Sequence, residues 1–290
     1  MVAGGAGGAG GVWGGGPRGR VVGRRGWAAG WVGGVLSVRV RSIESVTCRT
    51  CRGPTPVGLA RCYQCDLARS QAGELLADAV AAIGYAVRGG PLADDLWRYK
   101  SDRAGAAESA ARLRAMLDGY LAEHGELVWR AAGMAAGPAA VAVVPSGRGR
   151  PGGHPLAALA RSCVDIPLIG LSVVPEEAAH VRGVDPRWLR VDGAVGGADV
   201  LVVDDTWVSG GSAQSAAVAL KLAGARRVAI VVLGRHVNPD DPRSERFLRA
   251  LSATPAGPAV PAASLPAPPP RPAQAPRPAP PATARSSPRG

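Results

Sequence analysis

The chain has 290 residues, enough for one large domain or two small ones, and a formal net charge of +12. Most of that charge lies at the two ends, because segment 1–47 carries six arginines and one glutamate, and the chain from Arg249 onward carries five arginines and no acid. The middle is nearly neutral, which argues against a basic groove for nucleic acid. No stretch approaches the ~20 apolar residues of a membrane helix, so we expect a cytoplasmic protein without membrane contact.

The composition also sets the expected domain boundaries. Segment 1–47 is rich in Gly and Arg, and segment 249–290 is rich in Pro and Ala. Such sequences bury too little apolar surface to offset the entropy of ordering, so we expect both ends to be disordered. The Pro-rich end could also dock to a Pro-binding partner, although an inert tail is the simpler interpretation. The folded part is predicted to comprise a small module at 48–66 and a larger domain at 67–248.

Four cysteines predict a metal centre in the small module. They form two Cys-x-x-Cys pairs separated by ten residues: Cys48, Cys51, Cys62 and Cys65. Two such knuckles can point four thiolates at one tetrahedral centre, the geometry of a closed structural zinc site. A disulfide pair, or a site that has lost its metal, remains an alternative. Cys163 stands alone in an apolar run and is predicted to be a packed core thiol.

Helices and strands alternate along the rest of the chain. Helices are predicted over Ala68–Ala82, Leu92–Tyr99, Ala106–Glu123, Pro155–Cys163 and Ala213–Ala223. Strands are predicted over Ile83–Val87, Ala139–Val144, Ile166–Val174, Val200–Val203 and Val228–Leu233. This alternation predicts an α/β fold, with a parallel sheet flanked by helices.

One loop has the composition of an anion-binding cradle. The apolar run Val200–Val203 leads into Asp204, Asp205, Thr206, Trp207, Val208, Ser209, Gly210, Gly211 and Ser212, followed by a helix. Gly210 and Gly211 let the backbone N–H groups approach a phosphate, and the helix presents its positive end. Two carboxylates beside a phosphate need other partners, such as ribose hydroxyls or a magnesium shell.

This run resembles the 5-phosphoribosyl-1-pyrophosphate (PRPP) loop of type I phosphoribosyltransferases. The resemblance implies that Asp204 and Asp205 hold the ribose hydroxyls, with Mg²⁺ accompanying PRPP. It also implies that Thr206, Ser209, Gly210, Gly211 and Ser212 wrap the 5′-phosphate. Catalysis would then displace magnesium-bound pyrophosphate at the anomeric carbon.

The order of motifs resembles the ComF family, which is linked to DNA uptake in competent bacteria. The matching pieces are the cysteine quartet, the stretch Tyr85–Lys100 and the loop, over about 48–237. The Phe-Asn-Gln element of the family's pyrophosphate loop is missing, and Ser146, Gly147 and Arg148 are the candidates that remain there. Arg182, Arg187 and Arg190 are further candidates, whereas His154, His180 and His236 are expected to be exposed.

Three functions stay open from the sequence. The first is a phosphoribosyltransferase that uses PRPP and Mg²⁺ on an unknown acceptor. The second is a binding module that senses PRPP or a related nucleotide without turnover. The third is an accessory factor that contacts single-stranded DNA or a DNA-processing protein, although few aromatic residues accompany the basic ends.

Overall fold

The structure is a computed structural model, and it describes residues 30–32, 35–146, 154–178, 183–254 and 262–263. The candidates Gly147, Arg148, His180 and Arg182 lie outside the described residues, as does most of the expected Pro/Ala-rich tail. No helix among the described residues is long and apolar enough to cross a membrane.

One sheet organises the described chain. Its strands are β1 (Gly30–Val32), β2 (Val35–Arg39), β3 (Ala79–Val87), β4 (Ala140–Val143), β5 (Leu168–Val173), β6 (Leu189–Asp192), β7 (Asp199–Trp207), β8 (Arg227–Val237) and β9 (Ala262–Ala263). Their order is β1-β2-β3-β8-β7-β4-β5-β6, and β9 pairs with β3. The central five, from β3 to β5, run parallel, while β2, β6 and β9 add antiparallel pairs at the edges.

Helices cover both faces of this sheet. They are α1 (Tyr63–Ala72), α2 (Pro91–Arg98), α3 (Ala106–Ala132), α4 (Pro155–Arg161), α5 (Pro175–Ala178), α6 (Gly211–Leu222) and α7 (Pro242–Ala253), with 3₁₀ turns at Gly73–Leu75 and Pro186–Trp188. Successive side chains of β8 alternate between two cores: Val228 and Ile230 lie on the α6 and α7 face, and Ala229 and Val231 on the α2 to α4 face. The central strands therefore carry continuous apolar runs, such as Val200–Val203 in β7 and Val228–Leu233 in β8, as a parallel sheet covered on both faces requires. The predicted α/β class is confirmed.

Several predicted boundaries were wrong for local reasons. The helix predicted over Ala68–Ala82 ends at Ala72, because Gly73 takes a positive φ of 53°, and Ala79–Ala82 belong to β3. The Ala-rich composition favours helix, but pairing with β8 overrides that preference. The helix predicted to end at Glu123 continues to Ala132, where Gly133 caps it at φ 74°.

Regular structure also occurs beyond the expected limits of the folded part. Strands β1 and β2 lie within segment 1–47, where we expected none, and helix α7 continues past residue 248 to Ala253. Phe247 and Leu251 anchor α7 because both side chains are buried in the core. Arg41, also buried, donates from Nη1 to the carbonyl of Leu251 at 3.0 Å and joins the two ends of the fold.

Candidate functional site

Asp204 and Asp205 lie in a strand, and this corrects the prediction of a loop beginning at Asp204. Strand β7 continues through Asp204 to Trp207, because Asp204 and Thr206 pair in register with Val232 and Gly234 of β8. Only the segment from Val208 to Gly210 forms the turn into α6. Both carboxylates therefore lie at the carboxyl end of a central parallel strand, the edge at which α/β folds bind ligands.

Asp205 is held by three side chains of the α2 to α4 face. Its Oδ2 lies 2.5 Å from Lys100 Nζ and 3.5 Å from His154 Nε2, and it accepts a hydrogen bond from Tyr99 Oη. The Asp205 side chain is only 7% exposed. A carboxylate buried to this degree needs such partners, so Asp205 is neutralised by the protein itself.

His154 is the residue of this cluster whose burial was predicted wrongly from the sequence. We expected an exposed side chain, but it is only 11% exposed. His154 is the N-cap of α4, and its Nδ1 accepts the Leu156 N–H at 3.2 Å. In the neutral ring, Nε2 must then carry the proton that faces Asp205. The His-Pro pair at a helix start is the sequence signal that could have revealed this cap.

Asp204 occupies a different environment from Asp205. Successive strand residues point to opposite faces, so Asp204 lies on the α6 side. Its Oδ1 accepts the Asp205 N–H at 2.8 Å, and it forms no salt bridge within the described part of the chain. Burial, reinforced by the negative charge of Asp205, raises the pKa of Asp204 to about 7. A half-buried carboxylate of this kind fits a cation or a pair of hydroxyl donors.

The turn before α6 depends on Gly210. This residue is the N-cap of α6 and adopts a left-handed conformation with φ 85°. A Cβ at this position would lie 2.1 Å from the Trp207 ring, so only glycine lets the indole pack against the turn. A Cβ on Gly211 would lie 2.4 Å from the Gly183 carbonyl oxygen. Both positions therefore exclude a side chain and allow close approach of the backbone.

The hydroxyl groups predicted to contact phosphate surround the start of α6. Ser209 Oγ accepts the Gly211 N–H at 3.2 Å, Thr206 is half-buried, and Ser212 is exposed in the first helical turn. The first-turn N–H groups and the helix dipole favour an anion at this position. Ser146 follows β4, whose Val143 pairs with Val203, so it lies at the same sheet edge.

Arg187 and Arg190, two further candidates from the sequence, have local partners. Arg187 Nη2 lies 2.6 Å from Asp185 Oδ2, and Arg190 Nε lies 3.2 Å from Asp192 Oδ1. Both arginine side chains are 72% exposed. They lie in the surface segment that leads through β6, and the structure gives neither a contact with Asp204 or Asp205.

The four cysteines converge as their spacing predicts. Their Sγ atoms all lie within 4.8 Å of one another, and Cys51 Sγ lies 3.8 Å from Cys62 Sγ. Zn–S bonds of about 2.3 Å in a tetrahedron give an S–S edge of about 3.8 Å, whereas a disulfide requires about 2.05 Å. Hydrogen bonds from the other three thiols lower the pKa of Cys51, which favours a thiolate. The cluster is therefore compatible with structural zinc, and Cys51 and Cys62 are too far apart to form a disulfide with each other.

The cysteine module is fastened to the sheet by Tyr85 and Arg235. Tyr85 Oη donates to the Arg52 carbonyl at 2.8 Å, and its ring packs edge-on against Phe247. The buried Arg235 donates from Nη1 to the Trp207 carbonyl at 3.1 Å. Burial, the largest single influence, lowers the pKa of Arg235, but Cys51, Cys62 and Cys65 together raise it by more, so the net shift is upward. Arg235 is thus a buried cation that lies between the four-cysteine centre and the candidate loop.

A cleft of about 750 Å³ lies beside α6, whose Gln214 and Lys221 contribute to its lining. Its walls include Trp207 and Ser209 but neither Asp204 nor Asp205. We therefore place the candidate site by its carboxylates and helix terminus rather than by cavity volume.

The comparisons with known proteins give only distant structural similarity. No protein-family model matches the chain, and no curated protein matches it in sequence. A purine phosphoribosyltransferase from Pyrococcus horikoshii Ot3 aligns with 18% identity over 45% of this chain and 87% of that chain, at a TM-score of 0.26. A phosphoribosyltransferase from Corynebacterium diphtheriae aligns with 18% identity over 60% and 94%, at a TM-score of 0.29. Alignments at these TM-scores are too weak to assign a function, and the α/β class rests on the sheet itself.

Proposed function

We propose that this protein binds a 5-phosphoribosyl ligand, PRPP with Mg²⁺, at the carboxyl end of β7 and the start of α6. The observation that carries the proposal is the contrast between the two adjacent carboxylates. Asp205 is neutralised by Lys100, Tyr99 and His154, whereas Asp204 forms no salt bridge among the described residues and feels Lys100 only at longer range. Asp204 is thus the group that needs a hydroxyl donor or a cation from a ligand.

The rest of the site suits the phosphorylated end of the same ligand. The Gly210 turn and the first turn of α6 offer backbone N–H groups, with the Ser209 and Ser212 hydroxyls beside them. One molecule that carries a ribose diol and a 5′-phosphate can occupy both parts. Mg²⁺ would be held by Asp204 together with the ligand's oxygens, and it would neutralise the diphosphate charge.

The four-cysteine module is proposed to hold structural zinc that fixes the amino-terminal module against the sheet. Together with the PRPP loop, this arrangement supports the resemblance to the ComF family. The charge distribution gives no separate support to a DNA partner, because basic and acidic residues are nearly balanced in the middle of the chain.

The proposal predicts an order of affinities. Full-length protein is titrated calorimetrically with PRPP, ribose 5-phosphate and pyrophosphate, each with Mg²⁺, and pyrophosphate release is followed in parallel. We expect PRPP and ribose 5-phosphate to bind, and pyrophosphate alone to bind at least ten-fold more weakly, since the described groups match the phosphoribosyl half. Equal affinity for pyrophosphate, or no binding in folded protein, would contradict the proposal. Release of pyrophosphate with an added nucleobase or amine would identify a transferase, and binding without release a sensing module.

A further inference from the structure

Arg235 lies between the cysteine centre and the candidate phosphate loop. It sits near the end of β8 and is only 7% exposed. Its Nη1 donates to two backbone carbonyls, those of Trp207 at 3.1 Å and His236 at 2.5 Å. Its Nε is buried without a hydrogen-bond partner. A buried guanidinium with this pattern needs a negative charge nearby.

The cysteine module supplies that charge at close range. A Cβ on Gly53 would lie 2.3 Å from Arg235 Nη2, so the module's backbone packs directly on the guanidinium, which only glycine permits. Gly53 also accepts the Cys48 N–H at 2.8 Å through its carbonyl, within the knuckle itself. Four thiolates with one Zn²⁺ would carry a net charge of −2, and the buried cation Arg235, packed against Gly53 of the same module, would compensate it.

Arg235 also contacts Trp207, through a hydrogen bond from Nη1 to the Trp207 carbonyl. The Trp207 ring packs against Gly210 with no room for a Cβ. Gly210 is the N-cap of α6, so the position of the ring affects where the first N–H groups of that helix point. A continuous chain of contacts therefore runs from Gly53 in the cysteine module through Arg235 and Trp207 to Gly210.

We propose that Arg235 is a positioning residue that couples the four-cysteine centre to the phosphate loop. A metal in the centre fixes the thiolates, the thiolates hold the guanidinium, and the guanidinium holds the Trp207 carbonyl behind Gly210. Loss of the metal then loosens the loop and weakens ligand binding. The expected loss of ligand affinity rests on the proposed function, whereas the expected loosening of the loop does not.

The test compares full-length wild type with Arg235→Met, which keeps bulk and removes charge. Arg227→Met is the matched control, because Arg227 begins the same strand but is exposed and pairs with Asp78. Zinc content, hydrogen exchange of the backbone amides at 207–212 and the Kd for Mg²⁺·PRPP are measured before and after a zinc chelator. Exchange in residues 228–233, in the core of β8, reports any global unfolding.

We expect chelation to speed exchange at 207–212 at least ten-fold in wild type and in Arg227→Met. Zinc-loaded Arg235→Met should already show the faster exchange, and chelation should change it little. Wild-type exchange in zinc-loaded Arg235→Met would overturn the proposal, as would equal effects of chelation in wild type and Arg235→Met. If the exchange at 207–212 responds to chelation and to Arg235→Met as expected but PRPP does not bind, the proposed function is refuted and the coupling through Arg235 is not.

A second variant keeps the test decisive if Arg235→Met does not fold or if chelation unfolds the wild type. Gly53→Ala places a methyl group against the guanidinium while leaving all four cysteines in place. In the zinc-loaded state it should speed exchange at 207–212 relative to Gly58→Ala, whose added Cβ has nothing within 4 Å. Gly58 has a positive φ of 78° and Gly53 does not, so the control carries the larger backbone penalty and a faster exchange in Gly53→Ala cannot come from that source. Equal exchange in these two variants would overturn the proposal.

Discussion

Lys100 Nζ lies 2.5 Å from Asp205 Oδ2, whereas the adjoining Asp204 forms no salt bridge among the described residues. The fold thus places two neighbouring acids of one motif in different environments. Asp205 connects β7 to the ends of α2 and α4, and Asp204 is left for a ligand. The predictions below follow from this division and from the contacts around it.

Replacing Lys100 with methionine should impair both stability and ligand binding. Asp205 would retain Tyr99 and His154 but lose its close cation, so we expect the free energy of unfolding to fall by roughly 1–3 kcal/mol. The uncompensated carboxylate would also repel PRPP, raising its Kd more than ten-fold. Urea unfolding and calorimetric titration measure the two effects.

Lys221→Met is the matched control for that change. Lys221 Nζ lies 3.0 Å from Asp78 Oδ2, in a comparable ion pair away from the carboxylate site. Its loss should lower stability by a similar amount and leave the Kd for PRPP unchanged. If both lysine variants weaken binding equally, the effect of Lys100 is a general loss of stability rather than a loss of charge at Asp205.

Asp204→Asn should stabilise the ligand-free protein at high pH. The pKa of Asp204 is raised to about 7 in the fold, chiefly by burial, from an ordinary value of 3.8. Between these two values the folded state holds a proton that the unfolded state has lost, so wild-type stability falls as the pH rises through this window. Since the side chain is partly open to water, we expect Asn to recover roughly 1–2 kcal/mol at pH 8 and almost nothing below pH 4. Thermal melts of wild type and Asp204→Asn over this pH range measure the difference in stability. A difference that does not change with pH would show that it does not come from the raised pKa of Asp204.

Each chain should bind one zinc ion through the cysteine quartet. Cys51→Ser should abolish stoichiometric binding and lower the melting temperature, because metal binding contributes to the free energy of folding. Cys163→Ser is the control, since Cys163 lies apart from the quartet, with Sγ 3.7 Å from the Arg114 carbonyl oxygen. Elemental analysis of purified variants measures the stoichiometry. Zinc retained in Cys51→Ser, or lost in Cys163→Ser, would show that the quartet is not the site.

The sequence indicates the class of the fold and the positions of the motifs, because both depend on local patterns. The apolar run before Asp204 predicts a buried strand, and the Cys-x-x-Cys spacing predicts that four thiols converge. Neither inference requires knowledge of distant contacts. The extension of β7 through Trp207 could not be predicted in this way, because pairing with β8 overrides the turn signal of two adjacent acids.

The partners of the site residues could not be predicted for the same reason. Tyr99, Lys100 and His154 reach Asp205 from 106, 105 and 51 residues away, and no spacing rule relates them. The role of Gly53 is likewise invisible in a single sequence, because its missing side chain matters only where Arg235 packs against it. Long-range packing, rather than local propensity, therefore determines how the two acids differ.

The most direct test of PRPP binding at this loop is a calorimetric titration of Mg²⁺·PRPP into zinc-loaded wild type, Gly210→Ala and Gly197→Ala. Both glycines have a positive φ, 85° and 76°, so both variants carry a similar backbone penalty of about 1 kcal/mol. Only the Cβ at Gly210 meets the Trp207 ring, while the Cβ at Gly197 has nothing within 4 Å. We predict binding by wild type and Gly197→Ala, and a Kd at least ten-fold higher for Gly210→Ala. Equal affinity in all three folded proteins, or no binding by wild type, would contradict the account.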